Sequence, residues 1–486
     1  MSGALVLTGH PVQRCGAWAV AMLAGVPVRT GKPGGDAPFE VTARELDEVS
    51  GRIAEDVARA AVAAQGSAEY DWWKVLFALY PNSPPTHAKR QRDRTSIKAE
   101  MVRLLGRDAA ASEMRPCVFC GVPSSTLWAK SLMPMFDTVR AVNTLPPGVA
   151  GWPVCWACRV ALWALPYGAW VTAGSATVLT CDDRQIEREF VRGNVDRAAK
   201  TLQMGCSSLP AGAGPEAVVV EALAVHARFG GVARGDGRAA AAATLWMFKN
   251  DNQEPWLRVS STRAGVGRFL RMVQADSDAR AGKQRLRSAL VRRDRSGAVE
   301  LDGDTAVARL LFEPDGYPAD RLLHELDRRL RAPDDLSQRA IWQWCALSRL
   351  YLEVMHEMNA AKYAPVADIF VRWIGQESTR GRFNEFRSAL SSGWKLHRLY
   401  VNASARLFLD GSVPASIRDG LDANIVDSLF EQSEWRGRAG LYTVVLSELI
   451  KAGVRVGKSD EADDDTDDDA AEFAPEQNGE EEEDHG

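Results

Sequence analysis

Histidine is scarce in this chain, with seven in 486 residues and none between His87 and His226. The gap argues against a nuclease that draws its general base and metal ligands from histidines in mid-chain. Also missing are a phosphate-binding Gly-rich loop ending in Gly-Lys-Ser/Thr, a Gly-x-Ser-x-Gly and a His-Glu-x-x-His, so the common hydrolase signatures are absent. Charge is missing from residues 160–180, a run long enough by count to span a bilayer. Pro166, Gly168, Gly174, Ser175 and three threonines interrupt it. Buried strands at 169–173 and 176–181 around a Gly174-Ser175 turn are therefore predicted, with a membrane helix as the alternative. Arg14 breaks the first apolar stretch and no positive segment precedes it, so no signal peptide is expected. Lys and Arg are absent from residue 460 onward, where 15 acidic residues fall. Such a composition cannot bury enough apolar surface to offset ordering entropy, and residues 458–486 are expected to form a disordered acidic tail.

What is present is the composition of a folded globular protein, 46% apolar and 25% charged. The length implies two to four domains. The net charge of −5 is misleading: of 64 acidic residues 15 lie from residue 460 onward, leaving 49 against 59 basic ones before it. A basic body suits a polyanionic partner. The tail then either competes for that surface or only aids solubility.

Two Cys-x-x-Cys pairs, Cys117/Cys120 and Cys155/Cys158, carry the one motif that names a chemistry. Four thiolates at this spacing suit a tetrahedral Zn²⁺ with sulfurs at about 2.3 Å, each pair forming a knuckle and the 34 residues between them closing the loop. The order matches a zinc ribbon or a treble clef. The competing readings are two coincidental pairs of core cysteines or a redox pair, the latter requiring one pair to open a helix after a strand. With no histidine nearby, a closed structural site is favoured over a catalytic one, which would keep an open position. Cys15, Cys181, Cys206 and Cys345 are scattered, as in a reducing cytoplasm.

The coarse pattern is α+β. A short strand at residues 4–7, a turn at 8–11 and a helix to Leu23 are predicted, then helices at 42–64 and 71–79, a proline-broken stretch at 81–85 and a basic helix at 89–105. Beyond Leu301 helix follows helix: Leu322, Leu323, Leu326 and Leu330 form one stripe, Trp344, Leu347, Leu350 and Val354 another ending near Pro365, and Leu441, Val444, Val445 and Leu449 a third ending near Gly453. The predicted organisation is a mixed α/β N-terminal region (1–114), an inserted four-cysteine zinc ribbon (115–160), a mixed β/α region (161–300), an all-helical bundle (301–457) and the tail (458–486).

Two basic stretches are phosphate-contact candidates. Residues 87–107 hold Lys89, Arg90, Arg92, Arg94, Lys98, Arg103 and Arg107 against two acids, and residues 258–295 hold eleven basic residues against three, among them Arg258, Arg263, Arg268 and Arg271. Six to ten such contacts would cost about 10³- to 10⁵-fold in affinity between 50 and 200 mM salt; solvated helix faces explain the same residues. The loop with Lys249, Asn250, Asn252 and Gln253 can pair with base edges, although a turn between strands accounts for it more simply. Trp152 and Trp156 flank the second knuckle, as base-stacking groups or as a wall around the metal. His10 in its turn reads as a hydrogen-bonded structural residue.

The opening Leu5-Val6-Leu7-Thr8-Gly9-His10-Pro11, the two Cys-x-x-Cys pairs and the run from Phe248 through Pro255 together resemble the CXXC-CXXC group of large subunits of type I CRISPR Cascade surveillance complexes, of the I-A and I-B kind, over roughly residues 4–275. The helical region carries no matching motif, and the acidic tail departs from the pattern. The resemblance implies a cytoplasmic, non-catalytic subunit that binds guide CRISPR RNA at its 5′ end and recognises a protospacer-adjacent motif in target double-stranded DNA. It also implies contacts with the backbone and other Cascade subunits, a docking surface for a helicase-nuclease, and no membrane. Sequence reading would then fall to base pairing, leaving the protein backbone electrostatics and a few groove contacts. A zinc-dependent nucleic-acid enzyme and a zinc-stabilised protein-protein adaptor remain as alternatives.

Overall fold

The computed structural model describes residues 5–27, 39–87, 89–90, 92–109, 113–134, 150–172, 174–205, 213–233, 241–250, 255–314, 319–376, 379–412, 429–431 and 433–457. The chain forms two compact units, one of residues 1–268 with 290–320, the other of residues 269–289 with 321–486. The division thus differs from one at residue 300: the segment 290–320 packs with the first unit, and 269–289 with the second.

The first unit opens with helices α1 (Pro11–Leu23), α2 (Ala43–Val62), α3 (Ala68–Leu79) and α4 (Arg94–Leu104), continues through short strands β1 (Arg115–Pro116), β2 (Pro123–Ser124), β3 (Leu127–Trp128) and β4 (Trp152–Pro153), and reaches α5 (Trp156–Gly168). Then come β5 (Trp170–Val171), β6 (Ala176–Cys181), α6 (Arg184–Met204), α7 (Pro215–Ala233), β7 (Ala243–Lys249) and β8 (Trp256–Thr262). Helices α8 (Val266–Ala275) and α9 (Ser277–Ala289) lead into the second unit, and β9 (Arg292–Arg293), β10 (Val299–Leu301), α10 (Gly303–Leu311) and β11 (Phe312–Pro314) complete the first.

Local chemistry explains several boundaries. Thr42 and Glu45 form a reciprocal capping box at the start of α2. Asp93 accepts from the Ser96 N–H, so the basic helix starts at Arg94 instead of residue 89. Residues 5–7 are not a strand as expected: the Gln13 side chain, in the first turn of α1, donates to the Val6 carbonyl at 2.8 Å and accepts from the Thr8 N–H at 3.1 Å. That one amide satisfies backbone groups for which a neighbouring strand would otherwise serve.

All thirteen residues of α5 are buried, making it the axis of this unit. It crosses α1 so closely that a Cβ on Gly16 would lie 1.8 Å from the Ala161 carbonyl oxygen, which only glycine permits. The strands form an antiparallel sheet ordered β11-β8-β7-β6-β5, with Val178 opposite Trp246 and Trp246 opposite Val259. The β5–β6 pair is the hairpin predicted from the uncharged run, and α5 ends at Gly168 before it. No described helix is long and apolar enough to cross a membrane.

In the second unit the further elements are α11 (Arg321–Leu330), α12 (Gln338–His356), α13 (Ala364–Gln376), α14 (Thr379–Ala389), α15 (Gly393–Leu409) and α16 (Trp435–Lys451). Leu322, Leu323, Leu326 and Leu330 are all buried, as are Trp344, Leu347 and Leu350, and Leu441, Val445 and Leu449. Helix α12 stops at His356, well before Pro365, because Glu357 adopts left-handed φ of 53° and the Met358 N–H turns back to the Leu352 carbonyl. Pro365 instead sits in the first turn of α13, where its missing N–H costs nothing. The predicted tail lies outside the described residues.

Candidate metal centre and basic surface

The knuckle bearing Cys117 and Cys120 closes the β1–β2 hairpin. Gly121 takes φ of 77° and donates to the Cys117 carbonyl at 2.8 Å, while the Cys117 N–H donates to the Val122 carbonyl at 2.9 Å. A β3–β4 pair, Trp128 opposite Trp152, then delivers the chain to Cys155, the N-cap of α5, with Cys158 in the first helical turn. The module is therefore not a ribbon with both pairs on hairpin turns; it has the knuckle, hairpin and helix order of a treble clef. Nor is it a detached insertion, since its helix is the central helix of the unit. The second pair opens a helix after a short strand, as a redox pair would, yet the first pair meets it.

All four sulfurs lie within 4.8 Å of one another, with Cys120 and Cys155 Sγ 3.5 Å apart. A tetrahedron with metal–sulfur bonds of about 2.3 Å has edges of about 3.8 Å, so this donor set fits a single ion. Hydrogen bonds from Cys120, then Cys155 and Cys158, pull the Cys117 thiol pKa down, while contact with Cys117 and Cys120, together with burial, pushes Cys158 up. Four adjacent thiols cannot all ionise without a cation, and a divalent metal removes that penalty.

Residues outside the motif hold the cluster. The Val118 N–H donates to the Pro153 carbonyl, tying the first knuckle to β4, and Gln13 Nε2 lies 3.7 Å from Cys158 Sγ. Asp108 accepts from the Trp156 N–H at the start of α5, from Thr126 Oγ1 at 2.6 Å and from Arg159 Nη1 at 2.7 Å. Arg159, only 2% exposed, also donates to the Val154 and Gly106 carbonyls. Burial raises the Asp108 pKa, but the hydrogen bonds from Arg159 and Thr126 outweigh it and hold the carboxyl below its usual value. No local pattern in the sequence marks Asp108, Arg159 or Gln13, because their partners in this cluster lie far along the chain, 51 positions between Asp108 and Arg159 and 145 between Gln13 and Cys158. Trp156 is buried, donates to the Leu105 carbonyl and is covered by Arg107, so it walls the site; Trp152 is half-buried. His10 packs edge-on against Phe119 of the first knuckle, and burial lowers its pKa.

The basic candidates divide. Arg90 is half-buried over the Trp73 ring and donates to the Ala61 carbonyl at the end of α2. Arg94 and Lys98 both pair with Glu55, whose pKa hydrogen bonds from Lys98 and then Arg94 pull down to about 2. Arg107 pairs with Asp47, and Arg103 lies 3.8 Å from Glu100. Lys89 and Arg92 are exposed. Asn250 is buried and donates to the Leu79 carbonyl, so its amide faces the core and not a base; Lys249 ends β7. Asn252 and Gln253 lie outside the described residues. The β7–β8 antiparallel pairing makes this run the connection between two strands, as the simpler reading had it.

Arg263 pairs with the buried Asp320 at 2.7 Å and with Glu313. Arg258 is exposed beside the Trp256 ring, and Arg268 and Arg271 are exposed on α8. The β9–β10 hairpin adds exposed Arg292, Arg293 and Arg295. Compared with known proteins, the chain matches no family model and no curated protein.

Proposed function

We propose that Cys117, Cys120, Cys155 and Cys158 hold one structural Zn²⁺ and that the chain is a non-catalytic, nucleic-acid-binding scaffold. In this reading it is the large subunit of a type I CRISPR RNA-guided surveillance complex, the assembly whose motifs it resembles. The observation that carries the reading is the cluster of four sulfurs at the start of the central helix, enough to fill all four positions of a tetrahedral ion and leave none for a substrate. Bound there, the ion contributes folding energy and no chemistry.

The excess of basic over acidic residues outside the tail supports a polyanionic partner, and the exposed Lys89, Arg92, Arg258 and Arg268 are among the side chains of the first unit offered to phosphates. The partners in this reading are guide RNA, target double-stranded DNA, the repeated backbone subunit and a helicase-nuclease. The test is co-expression with guide-RNA and backbone-subunit genes from the same locus, followed by purification through this chain. Recovery of RNA and backbone subunit supports the reading. Recovery of the chain alone, or metal-dependent DNA cleavage by the isolated chain, replaces it with an adaptor or an enzyme.

A further inference from the structure

Helix α15 buries one face and exposes another. Leu396, Leu399, Ala403 and Leu407 point into the helical unit, while Trp394 is 65% exposed, Val401 49%, Phe408 68% and Leu409 82%. Trp394, Arg398, Val401, Ala405 and Phe408 recur at steps of four, three, four and three, a continuous outer stripe of about 21 Å. Apolar surface of this extent on one helix marks an interaction site. The charges along the helix itself are of one sign: the seventeen residues of α15 include Lys395, Arg398 and Arg406 and no carboxylate, and only Arg406, at its far end, meets one, Asp410 at 4.0 Å just past the helix. Lys395 and Arg398 have no carboxylate partner among the described residues, and the Arg398 guanidinium rests 5.0 Å from the centre of the Trp394 ring. A second copy of α15 would set cation against cation, so the complementary occupant is acidic with an apolar centre.

The chain carries such a segment. Between the acidic runs 463–469 and 480–484 lie Ala470, Ala471, Phe473 and Ala474, and no Lys or Arg follows residue 460. The described chain leaves the same helical unit at Gly457, where a Cβ would meet the Leu336 carbonyl at 2.3 Å. The 29 residues beyond can extend roughly 90 Å, against a radius of gyration of about 15 Å for a unit of this size. A tether of this length gives an effective concentration on the order of millimolar. We propose that the exposed face of α15 is the docking site of the chain's own acidic C-terminal segment, residues 460–484, with Phe473 on the Trp394–Phe408 stripe and the flanking carboxylates on Lys395 and Arg398. Docked there, the segment occupies a basic, aromatic surface that would otherwise attract free polyanions.

The test uses the full chain with a photo-crosslinking benzoylphenylalanine at position 473, mapped by mass spectrometry. At 50 mM NaCl the crosslinks should concentrate in residues 393–409, and they should fall about tenfold in 500 mM NaCl or in Lys395→Glu/Arg398→Glu. Both residues are exposed, so the double variant should fold. Crosslinks spread over the chain and unchanged in the double variant would overturn the proposal. A second full-length variant, with the fifteen tail carboxylates changed to amides, should bind a labelled 20-nucleotide single strand more tightly than the unmodified chain. Equal binding by both, lost in Lys395→Glu/Arg398→Glu, would assign the face to nucleic acid and overturn docking of the segment.

Discussion

Tyr80 completes the hydrogen bonding that Pro166 interrupts. Pro166 lies inside α5 and has no N–H, so the Leu162 carbonyl one turn earlier loses its helical donor, and the Tyr80 hydroxyl donates to that carbonyl instead. The Tyr80 ring is held for this by stacking on Trp163, 4.2 Å between centres.

Tyr80→Phe keeps the ring and strands the buried carbonyl, a loss of about 1–3 kcal/mol. Pro166→Ala returns an N–H to the helix, so in that background the same substitution should cost less than half as much. Urea midpoints of the four chains of this double-mutant cycle provide the check. Equal costs in both backgrounds would mean that Tyr80 acts through packing alone.

If the four sulfurs hold a metal, removing it should loosen more than the cysteine loop. The second pair sits on α5, which packs along α1, so a chelator should lower the thermal midpoint and raise hydrogen exchange through Pro11–Leu23 and Trp156–Gly168. Exchange in Gln338–His356 of the other unit should change far less. Elemental analysis should find about one zinc per chain, reduced in Cys117→Ser together with solubility. A variant with unchanged metal and solubility would reject the four-thiolate site.

Asp108→Ala leaves Arg159 buried without its carboxylate, and loss of one partner from such a pair costs about 3–5 kcal/mol. The pH dependence has a definite sign. The Asp108 pKa is lower in the folded than in the unfolded chain, so its contribution is complete above the ordinary carboxylate value and is lost as pH falls through the depressed one. Acid unfolding curves of the wild type and Asp108→Asn should therefore converge as pH drops below about 4. Parallel curves would assign the acid sensitivity elsewhere.

Glu55 restrains two of the basic candidates. If α4 contacts nucleic acid, Glu55→Gln releases Arg94 and Lys98 and should strengthen binding of a labelled oligonucleotide, with a steeper salt dependence. Arg92→Glu should weaken binding more than Arg94→Glu, because Arg94 already has a carboxylate partner. Fluorescence anisotropy across a salt series would measure both. No response to either substitution would make this surface a solvated helix face.

Short-range patterns were the legible part. Helical periodicity located the stripes of α11, α12 and α16, and Gly174-Ser175 marked the β5–β6 turn, because each signal lies within one or two turns of chain. Residues 5–7 looked like a strand because an apolar run reads the same whatever satisfies its backbone, and the Gln13 amide was not visible as that partner.

The order of the four cysteines, their spacing and the absence of nearby histidine are properties of the sequence, and they alone single out a four-sulfur site. That the sulfurs meet at the head of a fully buried helix was decided by tertiary packing. So was the support from Asp108 and Arg159, and the neutralisation of Arg94 and Lys98 by Glu55. Ligand identity is written in the chain one residue at a time. Burial, ion pairing and pKa depend on which distant segments come within a few ångströms, and only the folded chain brings them there.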